Sequence, residues 1–286
     1  QPCSSAASDV YKRQGLTRKF SSYGSVKFIN DEMELNSNVL FFDRNANEIY
    51  FNKNGKIIDS VSTIKSKEGK YFIDEKKYEF KENVIVENPD YKIRSNMMDY
   101  FLSSEITLFY KFSTIITDDY TIFCNEGFYD PQKKIGVFKK DAKVNSETRT
   151  IFGDSIFFDE NKKYASASKN IKIIDEKENL IIKGEYAEVF EELDSALITK
   201  NPVAINITKT DSLFIKADTL ISLGASQNRK VIGYYNVRFV KGSMSGKSDK
   251  IKIDKSEGLT TLSRNDLTKR QIQILSENEI NKINPV

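Results

Sequence analysis

Residues 170–187 read NIKIIDEKENLIIKGEYA, and residues 236–253 read NVRFVKGSMSGKSDKIKI. Both open on Asn and a β-branched residue, alternate apolar with charged positions, pass a polar turn, and resume with a small residue followed by an acid. Residues 203–220, VAINITKTDSLFIKADTL, form a more diverged copy between them. Alternation with a period of two gives a strand one apolar and one wet face. The stretch therefore predicts an all-β fold in which one unit of antiparallel strands is stacked on itself.

Working outward, the small residue that starts the second strand of each unit serves as an anchor. Ser95, Gly127, Gly153, Gly184, Ala217 and Ser248 are spaced by 32, 26, 31, 33 and 31 residues. A spacing near thirty marks a repeated supersecondary unit. The next residue is an acid or an amide at Asn96, Asp154, Glu185, Asp218 and Asp249, whereas Gly127 is followed by Phe128 and makes its unit irregular. A small anchor lets backbone layers approach or turn a corner. The acid after it is expected to cap a turn or face water.

The earlier chain continues the pattern. Strands are predicted at Ser25–Ile29, Asn38–Phe42 and Glu48–Phe51, and Asn54-Gly55 reads as a hairpin turn. Tyr71–Ile73 and Tyr78–Phe80 read as a second hairpin, and Leu267–Asn281 as a short helix. Residues 1–14, QPCSSAASDVYKRQ, resemble translated adapter DNA and are set aside as foreign. Residues 15–265 then hold the repeats, with two stacked modules meeting near residue 115, and residues 266–286 form a tail. Ending on Asn284-Pro285-Val286, the chain is expected to be a piece of a longer protein.

Composition narrows the function. The 286 residues carry 44 Lys+Arg against 41 Asp+Glu, a net charge of +3, which gives no strong pull on nucleic acid. There is no His, so the commonest general base and metal ligand is missing. Cys3 and Cys124 make neither a disulfide framework nor a zinc site, and Cys124 reads as a small core residue. No apolar run approaches the ~18 residues of a membrane-spanning helix. No phosphate loop, nucleophile elbow or metal-ligand cluster occurs, and the Asp and Glu residues recur in register as structural residues do. We expect no enzymatic activity, no cofactor and no metal.

The repeated pairs carry a resemblance. Asn83-Val84, Asn170-Ile171 and Asn236-Val237, set against Gly153-Asp154, Ala217-Asp218 and Ser248-Asp249, resemble the OstA/LptA family of lipopolysaccharide-transport proteins. That resemblance implies a repeat-built, open β-jelly-roll folded like a taco. It also implies a periplasmic place, with outer-membrane association, and transfer of lipopolysaccharide with its acyl chains in an apolar groove. The implied partners are lipopolysaccharide and other transport components joined through edge strands, with homo-oligomers formed the same way and no nucleic acid.

The inward apolar positions that would line the groove are Val84, Val86, Met98, Ile156, Phe158, Ile171, Ile173, Val189, Ile205, Leu220, Val237 and Phe239. Ordinary core packing predicts the same residues. Lys172, Lys183, Arg229, Lys230 and Arg238 are candidates by type for the sugar-phosphate head, or plain solvated-face residues. The rival reading is a structural or adhesive β-solenoid without lipid cargo, which would pack its interior solid.

Overall fold

The computed structural model describes residues 18–208, 211–224 and 228–264. The chain forms two compact units, Gln1–Lys134 and Ile135–Val286. The described residues hold 23 strands and no α-helix. The foreign stretch, the tail and the short helix of the sequence reading lie wholly outside the described residues.

Each unit is an open roll whose layers alternate between long strands and pairs of short ones. In the first unit β1 (Lys19–Ile29) pairs antiparallel with β2 (Met33–Asp43) along its whole length. β2 then pairs with two short strands, β3 (Glu48–Phe51) on one half and β4 (Gly55–Asp59) on the other. β4 continues to β5 (Thr63–Ser66), and β3 continues to β6 (Glu68–Phe72). Both rejoin on the next long strand, β7 (Lys77–Glu87), which pairs with β8 (Lys92–Phe101). β8 splits again, to β9 (Thr107–Phe109) on one half and β10 (Ser113–Ile116) on the other. The layer closes with β11 (Thr121–Cys124) beside β10 and β12 (Glu126–Asp130) beside β9.

The second unit repeats the scheme. The long strands β13 (Ile135–Asn145), β14 (Thr150–Asp159), β15 (Tyr164–Asp175) and β16 (Leu180–Phe190) follow in one antiparallel run. β16 splits to β17 (Ser195–Thr199) and β18 (Val203–Ile207), which continue to β20 (Thr219–Leu223) and β19 (Ser212–Lys216) respectively. Both rejoin on β21 (Lys230–Lys241), followed by β22 (Met244–Asp254) and β23 (Leu259–Ser263).

The long strands β7, β13, β15 and β21 each turn a corner at their middle, and the chain turns the same corner between β17 and β18. The corner is two consecutive left-handed residues: Glu82-Asn83, Lys140-Asp141, Lys169-Asn170, Lys200-Asn201 and Tyr235-Asn236, all with φ between 51° and 62°. Asn and Asp tolerate this conformation best among residues with a side chain. The register shifts at the same places, between Lys81 and Val84, Ser168 and Ile171, and Tyr234 and Val237. The Asn of the repeat signature is therefore the second corner residue inside a long strand, and does not open a strand as the sequence suggested.

Asn54-Gly55 is corrected for the same reason. β3 and β4 do not pair with each other but both lie against β2. Asn54, at φ 57°, turns the corner between the half-sheets, and Gly55 is glycine because a Cβ there would strike the Phe51 ring. The Tyr71–Phe80 hairpin forms as read, with Tyr71 opposite Tyr78.

The irregular repeat resolves at the corner. Ser95 lies opposite Ser113, and Ser113 opposite Cys124. The anchor of that unit is Cys124, followed by the amide Asn125, and Gly127 belongs to the half-sheet beyond. Ser95 to Cys124 and Cys124 to Gly153 are both 29 residues apart.

Two half-sheets thus meet at each column of corners, and their apolar faces enclose the core. Tyr71, Tyr78, Phe80, Tyr100 and Phe109 fill it in the first unit, Phe138, Ile156, Ala187 and Leu220 in the second. Tyr71 and Tyr78 stack at 4.5 Å, and the Tyr78 hydroxyl reaches across to Met33 Sδ at 3.2 Å. Fully burying one such side chain contributes roughly 1.5–3 kcal/mol.

Candidate functional site

Eleven of the twelve residues predicted to line an interior do face inward and are buried: Val84, Val86, Met98, Ile156, Phe158, Ile171, Ile173, Val189, Leu220, Val237 and Phe239. Ile205 is corrected. It is half-buried on the outer face, opposite Ile181 and Phe214, while its neighbour Ala204 is the buried residue of β18. Three apolar residues at alternate positions, Val203, Ile205 and Ile207, advertise the wrong face of that strand.

The middle layers are packed. Phe80, Met98 and Tyr100 in the first unit, and Ala187, Ile198 and Leu220 in the second, have no exposed surface. Open space lies instead in the terminal layers. In the first unit a cavity of about 480 Å³ lies against β1, β2 and β3, lined by Phe20, Val26, Phe28, Leu40, Phe42 and Ile49 among others. In the second, a cavity of about 410 Å³ opens between β16 and β23 over Leu180, Ala204, Leu213, Ile215, Val231 and Ile253. The twelve predicted residues include none of these, although Leu220, Val237 and Phe239 lie on neighbouring strands of the second unit.

The half-sheets meet again at their outer ends, where the turns of one face the turns of the other across a mouth. In the first unit this contact combines hydrogen bonds to one carboxylate with one exposed ion pair. The Tyr91 hydroxyl donates to Glu105 Oε2 at 2.8 Å and the Asn88 amide to the same oxygen at 3.2 Å, with Lys76 paired to Glu32 nearby. In the second unit it is ionic. Arg149 Nη2 lies 3.4 Å from Asp194, Arg229 Nη2 lies 3.0 Å from Asp175, and Lys255 Nζ lies 2.6 Å from Glu178. Arg149 Nε is also 3.7 Å from Asp175. The side chains of Arg149, Arg229, Asp175 and Glu178 are all more than nine-tenths buried. Burial and the neighbouring Arg229 push the Arg149 pKa down, against the pull of Asp175 and Asp194.

Of the five basic candidates, Arg229 alone is buried, at 7% exposure. Lys172 lies on the outer face over the Phe152 ring, 5.8 Å from its centroid, and Lys230 pairs with Asp254 at 3.3 Å. The Asp254 carboxyl is held below its usual range by the Ser256 hydroxyl and by Lys252 and Lys230. Cys124 is buried in the corner column, which pushes its thiol pKa up to about 12. Among the described residues no cluster of His, Cys, Asp or Glu could hold a metal ion. No described helix is long and apolar enough to cross a membrane.

Residues 5–96 match the protein family described as OstA-like protein. The match begins inside the stretch 1–14 and ends one residue past Ser95. No curated protein sequence matches the chain. Among solved structures the chain is similar to LptH from Pseudomonas aeruginosa, the LptA-homologous periplasmic component of a lipopolysaccharide transport device. The identity is 11%, the TM-score is 0.27, and the alignment covers 55% of this chain and 94% of that one. Residues 5–96 are thus similar to the OstA-like family, which the repeated Asn-Val and small-acid pairs also resemble.

Proposed function

We propose that the protein is a periplasmic carrier or bridge for lipopolysaccharide, with acyl chains held in the apolar interior of its rolls and no chemistry of its own. The observation that carries this reading is the cavity of about 480 Å³ against β1, β2 and β3. Its lining residues, Phe20 to Ile73, lie wholly within the OstA-like stretch, residues 5–96. It is apolar and open at a terminal layer, as an acyl-chain site must be. Each buried methylene would contribute about 0.8 kcal/mol.

The same terminal layers supply the partner contacts of this reading. Among the described residues β1 pairs only with β2, and β23 only with β22. An unpaired strand edge templates addition of another chain. Tyr23 and Ile29 on β1 and Leu259 on β23 are exposed.

The solenoid reading keeps one observation in its favour, the solid packing of the middle layers. Photocrosslinking separates the two. A photoreactive residue at Phe28 or Phe239, in cells making lipopolysaccharide, is expected to give a lipid adduct that a probe at outward Lys172 does not. Folded protein with no adduct at either inward site would leave the solenoid standing.

A further inference from the structure

If acyl chains enter these rolls, the packed second unit must open somewhere. Its corners cannot serve, because the chain itself crosses them, within the long strands and between β17 and β18 and β19 and β20. Its mouth can, because there the half-sheets are joined by side chains alone. We propose that Arg149–Asp194, Arg229–Asp175 and Lys255–Glu178 form a clasp across the mouth of the second unit, and that an anionic head group opens it by displacing the acids from the arginines. The inference rests on the carrier reading and adds how its interior is gated.

Three observations converge on it. First, every one of these pairs joins opposite half-sheets. Arg149 follows β13 and Asp194 follows β16, Asp175 ends β15 and Arg229 precedes β21, and Glu178 precedes β16 while Lys255 follows β22. Second, three of the six, Glu178, Arg229 and Lys255, line the cavity of about 410 Å³, with Asp254 and Lys241 also at its rim. Parting the clasp therefore widens an apolar space that already exists. Third, both arginines hold donors in reserve. Arg149 Nη1 and Arg229 Nε are buried and have no hydrogen-bond partner among the described residues. A guanidinium presents five N–H donors in a fixed fork that suits phosphate and carboxylate alike. An entering anion finds open donors at once and, as it gathers more of them, releases Asp194 and Asp175. The contacts named at the first unit's mouth, Tyr91 and Asn88 to Glu105 and Lys76 to Glu32, include no arginine fork.

The test uses the full chain with Asp194→Asn, Glu178→Gln and Arg149→Gln, and Glu147→Gln as control. Glu147 sits in the same turn as Arg149, but its exposed pair with Lys177, at 2.9 Å, stays on one half-sheet. Without ligand, hydrogen exchange at turns 146–149 and 191–194 is expected to rise about tenfold in Asp194→Asn, with the corner strands unchanged and the control like wild type. Asp194→Asn leaves Arg149 its contact with Asp175, so the variant is expected to fold.

Binding is then measured with dodecyl phosphate and dodecyl maltoside, each below its micelle concentration. Wild type is expected to prefer the phosphate, Asp194→Asn and Glu178→Gln to bind it faster, and Arg149→Gln to lose the preference. Unchanged or uniformly raised exchange in Asp194→Asn would overturn the clasp. Equal binding of both amphiphiles by wild type would overturn the head-group trigger. If wild type binds neither while the turns loosen as expected, the carrier reading fails together with the trigger, and the clasp alone stands.

Discussion

The side-chain amide of Asn170 donates to both carboxylate oxygens of Asp154, at 3.1 and 3.0 Å. The Asn236 amide donates to one carboxylate oxygen of Asp218 at 2.6 Å. The two halves of the repeat signature, Asn before a β-branched residue and an acid after a small one, thus bind each other across the corner. Asn is required twice over, for its left-handed backbone and for its amide. The acid neither caps its own turn nor simply faces water.

Asn170→Ala is expected to destabilise the protein by about 1–2 kcal/mol, combining left-handed strain with a lost exposed hydrogen bond. Asn170→Gly is expected to recover most of that loss, because glycine keeps the backbone freedom. Urea unfolding of both variants measures the difference. Equal midpoints for wild type and Asn170→Ala would show that the corner does not depend on this residue.

Gly184→Ala places a Cβ about 2.6 Å from Ile198 Cγ2, in the tight column beside the corner. Overpacking of this kind costs about 1–3 kcal/mol. Adding Ile198→Val should return part of it, so a double-mutant cycle is expected to show coupling between the two sites. Additive effects would contradict the close approach.

Cys124 is expected to resist thiol reagents at pH 8, since burial raises its pKa to about 12 and removes the thiolate. In a Cys3→Ser background, labelling should occur only as the protein unfolds in denaturant. Rapid native labelling would mean that the corner column opens locally.

Acid should expose the role of Asp254. Its folded pKa lies below the unfolded value of ~3.9. Its contribution to stability is therefore present above that value and is lost as pH falls toward the folded pKa. Asp254→Asn is expected to flatten the stability curve below about pH 4, checked by thermal melts across that range. A curve parallel to wild type would remove Asp254 from the acid response.

Edge pairing gives a further test of the carrier reading. Ile29→Lys puts a charge on exposed β1, a device that blocks strand addition. Self-association followed by light scattering is expected to fall in this variant, with melting unchanged. Persistent association would place the contact elsewhere.

How far the sequence could be read follows from which contacts are local. Alternation along Val84 to Val86, Ile171 to Ile173 and Val237 to Phe239 fixed the inner face, because side chains in a strand point to opposite sides in turn. The same rule failed at Ile205, where the outer face of β18 is also apolar. The thirty-residue repeat of small residues and acids was legible because each layer meets its neighbours in the same way.

Tertiary structure decided the rest. Asn54-Gly55 has the chemistry of a hairpin, yet its flanking strands both pair with β2, so the same left-handed residues make a corner. Cys124 became an anchor only through its alignment with Ser113 and Ser95. The mouth was hidden altogether, since Arg149, Asp194, Asp175 and Arg229 come from separate turns and meet only when the half-sheets fold face to face. Sequence thus determined the strands, their inner faces and the period, which depend on near neighbours. Corners, cavities and the charged mouth depend on which layers stack, because burial and ion pairing are set by residues distant along the chain.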